Sequence, residues 1–106
     1  MESLRIKFDF SHGPIWKDKY DTSTGEWTTG IDIIDNDKAL SVLNEEAGKE
    51  YSSLYYFDND GILKFDSQSY EAKKGDLLSL VQTIILRIND LGTFEIIDEA
   101  SKKLTQ

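Results

Sequence analysis

The first regular pattern along the chain is an alternation. Leu4, Ile6, Phe8 and Phe10 fall on one side of an extended backbone and Arg5, Lys7 and Asp9 on the other, which predicts a half-buried strand over 4–10. Ser11-His12-Gly13-Pro14 ends it, because Pro14 has no amide proton to give to a ladder. Residues 15–20 and 26–29 flank the turn-forming stretch Asp21-Thr-Ser-Thr-Gly25 and read as a hairpin carrying Trp16, Tyr20 and Trp27. Ile31 to Ile34 reads as a further strand, on which Trp27, Thr29, Ile31 and Ile33 share a face.

From Leu40 the period changes. Leu40, Leu43, Ala47, Tyr51 and Leu54 recur at three and four residues, the spacing of one apolar stripe on a helix. Asp35 or Asn36 is placed to cap its start. Gly48 weakens its middle by about 1 kcal/mol relative to alanine. Its end is expected near Phe57, before the turn Asp58-Asn59-Asp60-Gly61. Ile62 to Phe65 reads as a short strand. A second helix follows over 69–91, with Leu77, Val81, Ile84, Ile88 and Leu91 as its stripe and Leu86 on the opposite side. Gly92 stands where a helix C-cap is expected. Phe94 to Ile97 reads as the last strand, and 98–106 as a polar tail that frays.

These elements predict an α+β fold: a small mixed or antiparallel sheet of about four or five strands with two helices on one face. The 106 residues suit a single domain over 1–106 with its own core. The absence of cysteine excludes disulfides, thiolate metal sites and cysteine nucleophiles. The start of the sequence has no basic and apolar leader, and no stretch approaches the length of a membrane helix, so a cytoplasmic location is expected.

Candidate chemistry is sparse. Ser11 and His12 are adjacent, so on an extended chain they point to opposite faces and are poorly placed to act as nucleophile and base. The Asp58–Gly61 turn is not a calcium loop. With Gly61 as the sixth position, the first is Tyr56 and the twelfth Ser67, and both essential ligands are missing. Neither a GxGxxG nor a GKS/GKT loop is present. Lys17 and Lys19, near Trp16 and Tyr20, are offset by Asp18 and Asp21, which argues against direct nucleic acid binding. No catalytic residue, cofactor or metal site is therefore assigned, and the protein is not expected to be an enzyme.

Charge placement is the informative feature. The chain has 20 acidic and 12 basic residues, a net charge of −8. Between Asp32 and Asp60 eight carboxylates (Asp32, Asp35, Asp37, Glu45, Glu46, Glu50, Asp58, Asp60) face only Lys38 and Lys49. Glu45 and Lys49 form a favourable i,i+4 pair and Glu46 and Glu50 an unfavourable one. Such a run is either a solvated helix face or a docking surface for a basic protein. Tyr55 and Tyr56, at the expected end of the same helix, favour docking, since tyrosine is enriched at interface hot spots. The candidate partner-binding residues are Glu45, Glu46, Glu50, Tyr55, Tyr56, Asp58 and Asp60.

In this character, and in the stretch Ser53-Leu54-Tyr55-Tyr56-Phe57-Asp58-Asn59-Asp60, the chain resembles bacterial immunity proteins, the antidotes of contact-dependent growth inhibition and other polymorphic toxin systems. The stretch is similar to the Tyr-Tyr segment of the colicin-nuclease antidotes. Those are all-helical and carry an aspartate after the serine, so the likeness implies a shared kind of surface. It implies a cytoplasmic inhibitor, monomeric when free, that caps a cationic toxin with nuclease activity and contacts neither nucleic acid nor membrane. Other readings are a nucleic-acid mimic or other acidic adaptor, a subunit that oligomerises through Leu86, and a hydrolase dependent on His12.

Overall fold

The computed structural model describes residues 2–17 and 27–106. Strand β1 (Glu2–Ile6) is the middle of a three-stranded sheet. On one side β2 (Ile15–Lys17) runs antiparallel to it, with Leu4 opposite Lys17 and Ile6 opposite Ile15. On the other side β5 (Phe94–Asp98) runs parallel, Glu2 facing Phe94 and Ile6 facing Asp98. The alternation begun at Leu4 holds only to Ile6, shorter than the strand expected over 4–10. The chain then folds into a tight turn in which Asp9 bridges His12. The arm of the expected hairpin over 18–26 lies outside the described residues, and Trp27–Thr29 is not strand.

The Ile31–Ile34 strand is corrected to a helical turn, α1 (Asp32–Asp35). The cause is Asp35. Its carboxylate accepts from the Thr29 amide (2.8 Å), the Thr29 hydroxyl (2.9 Å) and the Gly30 amide (3.0 Å), which curls the chain back on itself. Ile31 and Ile34 then point inward at helical spacing, and Ile33 is left in solvent.

Asp35 and Asn36 do not cap the long helix α2 (Lys38–Ser52). Asp37 does, accepting from the Leu40 amide at 3.0 Å. Arg87 grips the same carboxylate with two bonds, at 2.7 and 3.1 Å, and so ties α2 to the following helix. The Arg87 bond, followed by the Leu40 amide, holds the Asp37 carboxyl below the usual carboxylate range. α2 ends at Ser52, before Leu54 of the predicted stripe and well short of Phe57. Tyr55–Phe57 is a strand, β3, paired antiparallel with β4 (Leu63–Phe65). The run Tyr55-Tyr56-Phe57 carries aromatic strand preference, which overrides the helical period. Among the described residues, the single sheet of four or five strands is thus replaced by sheets of three and two.

Helix α3 (Ser67–Leu91) starts behind the Asp66 cap and buries Leu77, Val81, Ile84 and Ile88. Leu86 is exposed, as its helical angle requires. The expected polar tail is corrected to helix α4 (Glu99–Leu104), capped by Asp98, with Ala100 and Leu104 packed into the core. The described residues therefore form four helices, not two, in an α+β arrangement.

One polar side chain sits in the middle of this core. Asn44, on the inward face of α2, is buried. Its Oδ1 accepts from the Ile15 amide at 3.0 Å and its Nδ2 donates to the Trp27 carbonyl at 2.9 Å. This brings the backbone at His12–Gly13 against α2 one turn on, at Gly48. A Cβ on Gly48 would lie 2.6 Å from the Trp27 ring, 2.8 Å from the His12 carbonyl oxygen and 2.9 Å from Gly13 Cα.

Two glycine substitutions separate helix propensity from packing. Gly75, mid-helix in α3, has nothing within 4 Å of an added Cβ. Gly75→Ala is expected to stabilise by about 1 kcal/mol. Gly48→Ala is expected to destabilise by about 1–3 kcal/mol, because overpacking against backbone outweighs the same propensity gain. Urea denaturation of both variants checks the opposite signs.

Candidate functional site

The seven candidate residues fall on two elements, because α2 ends before Tyr55. Glu45, Glu46 and Glu50 lie on α2. Glu45 is paired with Lys49 at 3.3 Å. Glu46 is exposed without a partner among the described residues. Glu50 lines a shallow recess with Asp76, Ser79, Leu80 and Thr83 of α3. Asp76 extends the acidic face onto the second helix. It lies outside the acidic Asp32–Asp60 segment, and only the helix pairing reveals it.

Tyr55, Tyr56, Asp58 and Asp60 belong to the β3–β4 hairpin, and their roles divide. Tyr55 is half-buried. Its ring lies 4.9 Å from Phe10, 5.0 Å from Phe65 and 5.8 Å from Tyr51, which makes it part of an aromatic cluster under the hairpin. Tyr56, one residue on, points to the other face of the strand.

Asp58 organises the turn. Its Oδ1 accepts from the Asp60 and Ile62 amides, both at 2.9 Å, and its Oδ2 is 3.9 Å from Lys64 Nζ. Gly61 completes the turn in the left-handed region (φ 76°), which a residue with a Cβ rarely adopts. Asp60 stands free at the tip. The turn chemistry expected of Asp58–Gly61 is present, but it joins two strands instead of a helix to a strand.

Sequence periodicity did not reveal the apolar surface of this hairpin. Tyr56 is 52% exposed, Phe57 67%, Ile62 54% and Leu63 39%. Phe57 and Leu63 are register partners, so their side chains stand together on one face. Phe10, itself exposed, leans on Tyr55. Single exposed apolar residues are ordinary on a protein surface, whereas this small hairpin exposes several. The available signal was an aromatic run followed by a turn and a second apolar run.

Ser11 and His12 are engaged with neighbouring residues. The His12 ring stacks on Trp16 at 3.6 Å and 11°, and the Ser11 amide donates to the Ser52 hydroxyl. Among the described residues no group of three His, Cys, Asp or Glu is arranged to hold a metal ion, and no helix is long and apolar enough to cross a membrane. Comparison with family models, curated proteins and solved structures finds no match to this chain.

The two adjacent tyrosines give a clean test of the division within the hairpin. Tyr55→Ala is expected to cost about 2–3 kcal/mol, since it opens the aromatic cluster. Tyr56→Ala is expected to stay within about 0.5 kcal/mol of the parent. Chemical denaturation of the two variants checks both values.

Proposed function

We propose that the protein acts by binding: it is an immunity-type inhibitor that caps a basic partner protein, a toxin domain with nuclease activity, and performs no catalysis of its own. The observation that carries this reading is the hairpin surface, with Tyr56, Phe57, Ile62 and Leu63 in solvent on a chain of net charge −8. Exposed apolar side chains on both faces of the hairpin, Phe57 and Leu63 on one and Tyr56 on the other, supply the short-range adhesion that an interface core needs. Asp60 at its tip, and Glu46, Glu50 and Asp76 on the helices, supply the long-range field that draws in a cationic protein. The resemblance to toxin antidotes in the Tyr55–Asp60 stretch points the same way. The contact residues of this reading are Tyr56, Phe57, Ile62, Leu63 and Asp60, with the α2–α3 acids as the electrostatic rim. Tyr55 and Asp58 support the hairpin from within.

The test is co-expression with a basic toxin domain encoded beside this chain's gene. The parent chain is expected to restore growth and to bind the purified domain. Two double variants, Tyr56→Ser with Phe57→Ser and Glu46→Lys with Glu50→Lys, alter exposed positions and the half-exposed Glu50 and leave the core untouched. Each is expected to weaken binding by about tenfold or more. Undiminished rescue by both folded variants would place the interface elsewhere, and no binding by the parent chain would overturn the reading.

A further inference from the structure

Behind the hairpin lies a cleft that the partner-binding reading does not use. Phe8, Tyr51 and Tyr70 form its aromatic walls, α4 closes it through Ala100 and Leu104, and its volume is about 220 Å³. A second recess of about 190 Å³ adjoins it and shares Tyr51, Tyr70 and Lys103. The walls are ordered by mutual packing. Phe8 stacks on Tyr51 at 5.0 Å and 17°, Tyr51 lies 6.0 Å from Phe65, and Phe65 lies 5.5 Å from Tyr70. The Tyr51 and Tyr55 hydroxyls meet at 3.4 Å. Burial, and then that hydroxyl contact, raise the Tyr51 phenol above its ordinary value, so it stays protonated and able to donate.

The rim is cationic on a strongly acidic protein. Lys7 and Lys103 both line the cleft. The Lys7 ammonium sits 4.6 Å from the Trp16 ring centre, and neither lysine is within ion-pair distance of a carboxylate among the described residues. Glu99, the acid on this rim, is already held by Arg5 at 3.1 Å. Two ammonium groups without ion-pair partners beside an aromatic box are complementary to a ligand with one flat ring and one negative charge. The size sets the scale. A cavity of about 150 Å³ takes a benzene ring, so this cleft has room for one ring and a small acidic substituent.

We propose that the cleft between the Lys7–Phe8 segment after β1 and helices α2, α3 and α4 is a binding site for a small aromatic carboxylate. The ring lies against Phe8 and Tyr70, and the carboxylate meets Lys103 and Lys7 at the mouth. This site is separate from the hairpin tip and does not depend on the identity of any protein partner.

The experiment is a titration of the isotope-labelled chain, followed by amide NMR shifts, with benzoate, its neutral counterpart benzamide, and acetate. Benzoate is expected to shift Phe8, Tyr70, Ala100 and Leu104 saturably, with benzamide and acetate about tenfold weaker because each lacks one half of the recognition. Lys103→Glu, at an exposed position, is expected to weaken benzoate by about tenfold while leaving distant amides in place. Lys7→Gln serves as a second charge variant, expected to weaken benzoate in the same direction. The absence of saturable shifts at about 10 mM benzoate overturns the proposal. Equal binding of benzoate and benzamide, or parent-like binding by both lysine variants, does the same.

Discussion

The structure depends on how closely the chain before β2 lies against α2. Asn44 reaches out of that helix to the Ile15 amide and the Trp27 carbonyl, so one buried side chain fixes both the start of a strand and the chain leading into α1. Gly13 and Gly48 make the approach possible. A Cβ on Gly13 would fall 2.2 Å from the Asn44 amide nitrogen. An unsatisfied buried polar group costs about 1–3 kcal/mol, so this contact is strongly specified once the helix is in place. Because Asn44, Ala47 and Gly48 face inward, Glu46 is turned to solvent and Glu50 toward the α3 edge.

The acidic segment is less uniform than its charge suggests. Asp35 gathers the Thr29 and Gly30 amides, Asp37 caps α2 and holds Arg87, Asp58 closes the hairpin turn, and Glu45 meets Lys49. Much of the run that looked like a docking face is thus committed to folding. Asp32, Glu46, Glu50 and Asp60 remain outside such contacts among the described residues. The apolar hairpin changes the balance in the proposed interaction: aromatic area supplies the hold, and charge supplies approach and orientation.

Periodicity made the long elements legible. Leu77, Val81, Ile84 and Ile88 identify the buried face of α3, and Leu40, Ala47 and Tyr51 that of α2. Short elements were not legible, because a few apolar residues fit either period until a tertiary contact decides. Ile31–Ile34 reads as a strand until the Asp35 carboxylate captures Thr29 and Gly30. Residues 98–106 read as a tail because Ala100 and Leu104 are only two apolar positions, yet they are the two that the core takes. The stripe of α2 carried the helix reading through Leu54 to Phe57, which concealed the hairpin and with it the exposure of Phe57 and Leu63. Of the candidate site, Tyr56, Glu46, Glu50 and Asp60 keep an outward or partly open position. Tyr55 and Asp58 are drawn into structure.

The central claim is that acids steer a basic partner onto the hairpin and aromatics retain it. The most direct measurement is of association and dissociation rates with the basic toxin domain as salt is raised. Steering by Glu46, Glu50 and Asp60 predicts an association rate that falls about tenfold or more, while an aromatic hold keeps the dissociation rate within about twofold. An association rate indifferent to salt, or a dissociation rate that climbs with it, would contradict this division between charge and apolar surface.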